Sequence, residues 1–87
     1  MLFDCELIGE TKAEKGIMLV TNYRLSFFKK RKKKVDLPFG FINTVKQIDK
    51  LGEILVYLKY HHFWKFKVTD KGKYEQLKIF LQLYLKF

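Results

Sequence analysis

Six consecutive cationic residues are the strongest chemical feature of this chain. They follow an apolar run with the pattern of a strand, and an apolar pattern resumes directly after them as VDLPFG. This order predicts that the cations occupy one hairpin loop at the edge of a β-sheet. Unpaired charges are too costly to bury, so such a loop is either solvated or bound to an anion. The cations are Lys29, Lys30, Arg31, Lys32, Lys33 and Lys34.

Residues that are able to catalyse a reaction are few. Cys5 is the single cysteine, which excludes an internal disulfide and any multi-cysteine metal site. His61 and His62 are the two histidines, and no cysteine or acidic cluster lies beside them in the sequence to complete a metal site. The acidic residues near the N-terminus lack a nucleophile or an acid–base partner. We therefore expect no enzymatic activity, no metal and no cofactor.

The charge balance indicates an anionic partner. The 87 residues carry a formal net charge of +9, and 48% of them are hydrophobic, which is typical of a folded domain. A membrane leaflet, a nucleic acid or an acidic protein segment would each satisfy this charge. No window approaches the roughly 20 apolar residues that span a bilayer, and the acidic N-terminus does not resemble a signal peptide. We expect a soluble, cytoplasmic protein, for which attachment to a membrane surface is one of the open alternatives.

Apolar, β-branched and aromatic residues predict about seven short strands separated by turn residues. Residues 14–16 are expected to form a tight turn, because Gly16 can adopt a positive φ at low cost. Residues 50–53 predict another turn. Pro38 ends a strand or lies on an edge, because it has no amide hydrogen. The predicted strands cover residues 2–12, 17–22, 24–30, 34–37, 41–48, 54–60 and 63–68.

The period of the apolar residues changes after the last predicted strand. Five apolar residues are spaced to lie on one face of a helix over residues 71–85: Tyr74, Leu77, Phe80, Leu81 and Tyr84. Thr69 or Asp70 directly precedes this segment and can cap its first turn. A run of strands followed by one amphipathic helix suits a curved antiparallel sheet with the helix packed over an open end.

The predicted helix also carries an apolar pair away from its core face. Ile79 and Leu83 are separated by one helical turn on the opposite side. Scattered apolar residues are normal at a protein surface. As a pair, however, they would suit a contact with another domain or chain. Both interpretations stay open, and the pair is the candidate partner-binding site.

Several short motifs are distributed over nearly the whole chain: Gly9-Glu10, GIMLV at 16–20, TNYRL at 21–25 followed by Phe27, VDLPFG at 35–40 followed by Ile42 and Val45, and the predicted hairpin of residues 54–68. With the order of elements, they resemble the pleckstrin-homology superfamily, and more closely the GRAM-like domain at the N-terminus of myotubularin-type phosphoinositide phosphatases. The resemblance implies a mostly β, α+β fold: a curved antiparallel barrel or sandwich of about seven strands, capped by one C-terminal α-helix, in a single domain over residues 1–87. The phosphatase domain of that family has no counterpart here.

The resemblance also implies where the cations lie. In the pleckstrin-homology fold, the loops after the first, third and sixth strands open on one rim. On this sequence that rim would combine Lys12, Lys15, His61 and His62 with the six-cation loop. Arg24 has two interpretations, a structural ion pair with Asp36 or a direct ligand of a phosphate group.

A basic rim of this kind predicts a non-catalytic membrane-targeting module that binds phosphoinositides or other anionic lipids. Because the run contains one arginine among six cations, diffuse attraction is favoured over recognition of one headgroup. The alternative is a protein–protein interaction module that acts as a scaffold in a larger assembly. Nucleic-acid binding is least favoured, since the aromatic residues alternate as core residues and the cations lie in one loop.

Overall fold

Seven antiparallel strands and one C-terminal helix make up the part of the chain that the structure describes. The structure is a computed structural model, and it describes residues 1–47, 52–60 and 62–85. A short 3-10 turn, Phe39–Phe41, precedes the fifth strand. The elements are β1 (Leu2–Ile8), β2 (Ala13–Val20), β3 (Arg24–Lys29), β4 (Lys32–Pro38), β5 (Ile42–Gln47), β6 (Glu53–Leu58), β7 (Phe63–Lys67) and α1 (Lys71–Tyr84).

The strands form one sheet in the order β4-β3-β2-β1-β7-β6-β5. Because successive side chains point to opposite faces, every second residue of a strand faces the same side. Phe3, Met18 and Phe27 from the first half of the sheet, and Val56 and Phe66 from the second, are buried in one core. The fold prediction of a strand-rich domain with one C-terminal helix is therefore confirmed.

The helix covers the core with three of the five residues on its predicted face. Tyr74, Leu77 and Leu81 are buried, whereas Phe80 packs against the core only in part and Tyr84 is exposed. Asp70 is the N-cap, and its carboxylate accepts a hydrogen bond of 3.1 Å from the amide of Lys73. The helix ends one residue earlier than the predicted segment of 71–85.

The first turn lies earlier in the chain than predicted. It follows β1 directly, and the Gly9 amide donates a hydrogen bond of 2.8 Å to the Lys12 carbonyl to close it. Residues 14–16 lie inside β2, so the predicted turn there is wrong. Gly16 serves close packing instead, because a Cβ at this position would lie 2.6 Å from the Phe27 ring.

The other boundaries differ from the prediction by one or two residues. β3 ends at Lys29, one residue before the predicted 30, and β4 begins at Lys32, two residues before the predicted 34, because the turn between them contains only two residues. β5 begins after the 3-10 turn, and its predicted end at residue 48 lies outside the described residues. β6 stops at Leu58, whose amide donates to the His62 carbonyl at 2.8 Å and so starts the next turn. β7 ends at Lys67, one residue short of its predicted end.

Candidate anion-binding surface

The basic hairpin, residues 29–34, is a two-residue turn rather than a loop of six. Lys29 on β3 pairs with Lys32 on β4, so only Lys30 and Arg31 form the turn. Their φ angles are 49° and 68°, in the left-handed region. A type I′ hairpin turn requires positive φ at both central residues and usually uses Asn-Gly. Two cations with side chains therefore hold a backbone conformation that costs energy for them.

A β-bulge turns one more cation away from the core. Phe27 pairs with Val35, but Phe28 pairs with Lys33, so Lys34 is an extra residue in β4. Without this insertion, strict alternation would place Lys33 on the same side as the buried Val35. With it, the Lys33 ammonium lies 5.8 Å from the centre of the Phe28 ring on the outer face of the sheet.

Carboxylates neutralise part of the hairpin. Glu14 on β2 pairs with Lys29 at 3.4 Å and with Lys12 at 3.5 Å, which joins the β1–β2 turn to the hairpin. The pKa of Glu14 lies below its ordinary value of 4.5, because attraction to Lys29 and Lys12 outweighs the opposing effect of partial burial. Lys33 pairs with Asp36 at 3.8 Å. These three cations are held in the structure and are less available to a ligand.

Five of the predicted phosphate-binding cations make no ion pair with any residue that the structure describes. All five are exposed. Four belong to the hairpin and one lies on the neighbouring strand β2, so these five charges lie close together on one part of the surface. These cations are Lys15, Lys30, Arg31, Lys32 and Lys34.

Arg24 lies at the other end of β3 from the hairpin turn. Its guanidinium donates a hydrogen bond of 2.9 Å to Asp36, so the expected ion pair is present. Asp36 also accepts a 2.8 Å hydrogen bond from Ser26. That hydrogen bond is the main reason why the pKa of Asp36 lies below its ordinary value of 3.8, and Arg24 and Lys33 add to the effect. We therefore remove Arg24 from the candidate surface.

The pairing of the strands places the predicted loops at one end of the sheet. Ile8, the last residue of β1, pairs with Lys65 near the start of β7, so the β6–β7 turn lies beside the β1–β2 turn. The antiparallel pairing of β2 with β3 brings the hairpin turn to the same end. His62 is exposed in the β6–β7 turn, whereas His61 lies outside the described residues.

A groove of about 930 Å³ runs across the outer face of β1, β2 and β3 beside the hairpin. Its apolar lining includes Leu2, Ile17 and Phe28. Leu2 is 60% exposed and Ile17 is 43% exposed, which is unusual for large apolar side chains in a sheet. The sequence prediction missed this groove. The available signal was the alternation of β1, which places Leu2, Asp4 and Glu6 together on the side opposite the core.

The charged lining of the groove has two signs. Lys15, Lys30 and Arg31 line it from β2 and the hairpin turn, and Asp4 and Glu6 line it from β1. Three of the five unpaired cations of this surface therefore also line the groove, next to carboxylates that the sequence analysis did not assign to any site.

Cys5 lies behind the groove in the core and is buried. Burial is the main reason why the pKa of its thiol rises from 9.0 to about 12, and the negative charge of Glu6 adds to the effect. The thiol is therefore neutral near pH 7 and is a poor nucleophile. Among the described residues, no group of three or more His, Cys, Asp or Glu side chains is placed to hold a metal ion.

The candidate partner-binding pair lies on the outer side of α1. Ile79 is 60% exposed and Leu83 is 73% exposed. The side chains are therefore free of the core, as their helical positions predict. Within the described ranges, no helix is both long enough and apolar enough to cross a bilayer.

Comparison with solved structures identifies the fold as pleckstrin-homology-like. A Slm1 PH domain in complex with inositol-4-phosphate matches with a TM-score of 0.80 and 18% identity, over 99% of this chain and 95% of that chain. A Slm1 PH domain in complex with phosphoserine matches with a TM-score of 0.78 and 16% identity, over 97% and 93%. The C-terminal domain of an unknown protein from Leishmania infantum matches with a TM-score of 0.69 and 13% identity, over 93% of this chain and 82% of that chain. No protein-family model and no curated protein matches the chain.

Proposed function

We propose that this protein is a non-catalytic module that binds phosphate-bearing headgroups of anionic lipids through the basic hairpin. The observation that carries the proposal is the group of five exposed cations without carboxylate partners in the described structure, held on and beside one rigid turn. The two Slm1 PH domains that share its fold were solved with inositol-4-phosphate and phosphoserine, both phosphate esters. The protein would thus associate peripherally with the cytosolic leaflet.

The hairpin suits a surface that carries many charges. Each Lys or Arg near an anionic leaflet contributes about 1 kcal/mol, so five together suffice for reversible attachment of a soluble domain. Lysine presents a point charge, whereas arginine forms the bidentate contacts that select one phosphate geometry. Because four of the five unpaired cations are lysines, the domain is attracted to the leaflet by charge more than it selects one headgroup by its shape. The sequence resemblance to the GRAM-like domain of myotubularin-type phosphatases makes a phosphoinositide the first lipid to test.

The test uses variants of equal charge. In one, Arg31, Lys32 and Lys34 become Gln, which leaves Lys30 and all ion pairs in place. Losing three cations near the leaflet removes about 3 kcal/mol before screening, or about a hundredfold in affinity. Sedimentation with vesicles that contain a phosphoinositide measures the loss, and added salt should weaken wild-type binding.

The matched control replaces Lys46, Lys71 and Lys78 by Gln. These cations lie on β5 and α1, and none of them lines the groove beside the hairpin. The control changes the net charge by the same amount, so it should keep most of the binding. Equal loss in both variants would mean that binding follows net charge alone and would reject the hairpin as the site.

A second candidate function is protein binding through α1. The exposure of Ile79 and Leu83, one helical turn apart, favours it. Ile79→Asp would then abolish capture of a partner protein and leave vesicle binding intact. If the three-Gln hairpin variant abolishes capture instead, the helix is not the binding surface.

A further inference from the structure

The groove beside the hairpin has carboxylates on one side and cations on the other. Strand pairing fixes this arrangement. On β1, Glu6 lies directly opposite Lys15, and Asp4 lies opposite Ile17. On the other side of β2, Ile17 lies opposite Phe28 of β3. Adjacent strands are about 4.8 Å apart, so the carboxylates of β1 and the cations of the hairpin turn are separated by about 10 Å of sheet.

The two carboxylates form no ion pair with any residue that the structure describes. Glu6 nevertheless has two lysines as direct neighbours in the sheet, Lys15 on β2 and Lys67 on β7. Asp4 is exposed and Glu6 is half-buried. Carboxylates at this position repel a ligand that carries only negative charge. They are favourable for a ligand that also carries a positive group.

We propose that the groove binds the headgroup of an aminophospholipid, which has a phosphate and a primary ammonium group. This inference rests on the proposed function and names the lipid class. The phosphate contacts Lys15, Lys30 and Arg31, and the ammonium group contacts Asp4 and Glu6. The hairpin cations outside the groove then supply general attraction to the leaflet.

The groove favours a membrane lipid over a phosphorylated side chain of a protein. Leu2 and Ile17 expose apolar surface between the two charged sides, next to the place where glycerol or the upper acyl carbons would lie. The unpaired cations extend along the hairpin beyond the groove, so they need a partner with charges spread over an area. A leaflet supplies both, and a single phosphoserine residue supplies neither.

The test compares two lipids of equal charge. Phosphatidylcholine vesicles are prepared with either phosphatidylserine or phosphatidylglycerol at the same mole fraction. Phosphatidylserine and phosphatidylglycerol each carry one net negative charge, but of these two only phosphatidylserine has an ammonium group. Two ammonium–carboxylate contacts in an open, partly screened groove amount to about a tenfold preference for phosphatidylserine. Asp4→Asn with Glu6→Gln should remove the preference and bind both vesicles alike.

The matched control is Glu10→Gln with Glu75→Gln. Glu10 lies in the β1–β2 turn and Glu75 pairs with Lys78 on the surface of α1, so neither lines the groove. The control raises the net charge by the same two units and should strengthen binding to both vesicles while keeping the preference. Amide replacement preserves side-chain size, and thermal unfolding checks that all variants fold.

Each result distinguishes the two proposals. Equal binding of the wild-type protein to both vesicles overturns the aminophospholipid assignment and leaves the proposed function standing. If the Glu10→Gln, Glu75→Gln control loses the preference for phosphatidylserine, the assignment is overturned as well. Absence of binding to either vesicle overturns the aminophospholipid assignment, and absence of binding to phosphoinositide vesicles as well overturns the proposed function itself. Displacement of the protein from phosphatidylserine vesicles by a phosphoserine peptide at low concentration would replace the lipid by a phosphoprotein as the ligand.

Discussion

Replacing the hairpin turn by Asn-Gly should stabilise the protein and weaken its binding to anionic vesicles. Lys30 and Arg31 hold φ angles of 49° and 68°. A left-handed backbone costs a residue with a Cβ atom about 1 kcal/mol or more, whereas asparagine tolerates it and glycine pays no steric cost. Glycine also increases the conformational entropy of the unfolded chain. This favours unfolding by about 0.4–1 kcal/mol and offsets part of the gain in stability.

For Lys30→Asn with Arg31→Gly, the balance is a gain of about 1 kcal/mol. In a domain of this size, that corresponds to a rise in Tm of about 4–8 °C. Calorimetry measures the stability, and vesicle sedimentation measures the loss of two of the five unpaired cations. Under the proposed function, stability and binding should move in opposite directions, because the same two cations hold the strained backbone and attract the leaflet.

The control is Lys30→Gln with Arg31→Gln, which removes the same two charges and keeps a Cβ atom at both positions. It should weaken vesicle binding as much as the Asn-Gly variant and leave Tm nearly unchanged. If Asn-Gly is no more stable than Gln-Gln, the turn carries no backbone strain, and the argument from its φ angles is refuted.

Three further predictions concern the interior and the outer sheet face. Gly16→Ala should destabilise the protein, because its Cβ would meet the Phe27 ring and the Phe28 carbonyl. The expected loss in urea unfolding is about 3 kcal/mol, the upper end for overpacking. Unchanged stability would contradict the close packing. Cys5, with a thiol pKa of about 12, should react with a thiol reagent only when the protein unfolds, and rapid labelling of the native state would show that it is accessible. The pKa of Asp36 is lower in the folded state than its ordinary value of 3.8. Its ionised carboxylate therefore stabilises the fold fully above pH 3.8, and this stabilisation is lost as the pH falls through the pKa of the folded state. Asp36→Asn should therefore flatten the acid side of the stability curve, and an unchanged acid side would rule out this role.

The fold was predictable because its signals are local. Alternating apolar residues mark the strands, and the change to helical spacing after β7 marks α1 with its cap at Asp70. These patterns need only the residues within each segment. They predicted the seven strands and the helix, and the resemblance supplied the way in which they pack.

The details of the hairpin were not predictable, because they depend on pairing between strands. Nothing in six consecutive cations shows which two form the turn. The pairing of Leu25 with Leu37 and of Phe27 with Val35 in the core sets that position and leaves Lys34 as the extra residue. These contacts join residues on different strands, so local propensity does not contain them.

The position of Gly16 also depends on contacts between strands, so it could not be predicted from the local sequence. A glycine after a charged pair is typical of a turn, but this one lies inside β2 because the Phe27 ring crosses its position. The outer groove was missed for a related reason. Asp4 and Glu6 have no motif of their own, and they become a possible site only when β1, β2 and β3 lie side by side.

Mapping the backbone amides that respond to an anionic lipid shows directly whether the basic hairpin contacts the headgroup. A ¹⁵N-labelled sample is titrated with a short-chain anionic phospholipid below its micelle concentration. We expect the largest chemical-shift changes at residues 29–34 and at Lys15, while α1 stays unchanged. Changes confined to α1 around Ile79 and Leu83, with none at the hairpin, would contradict it.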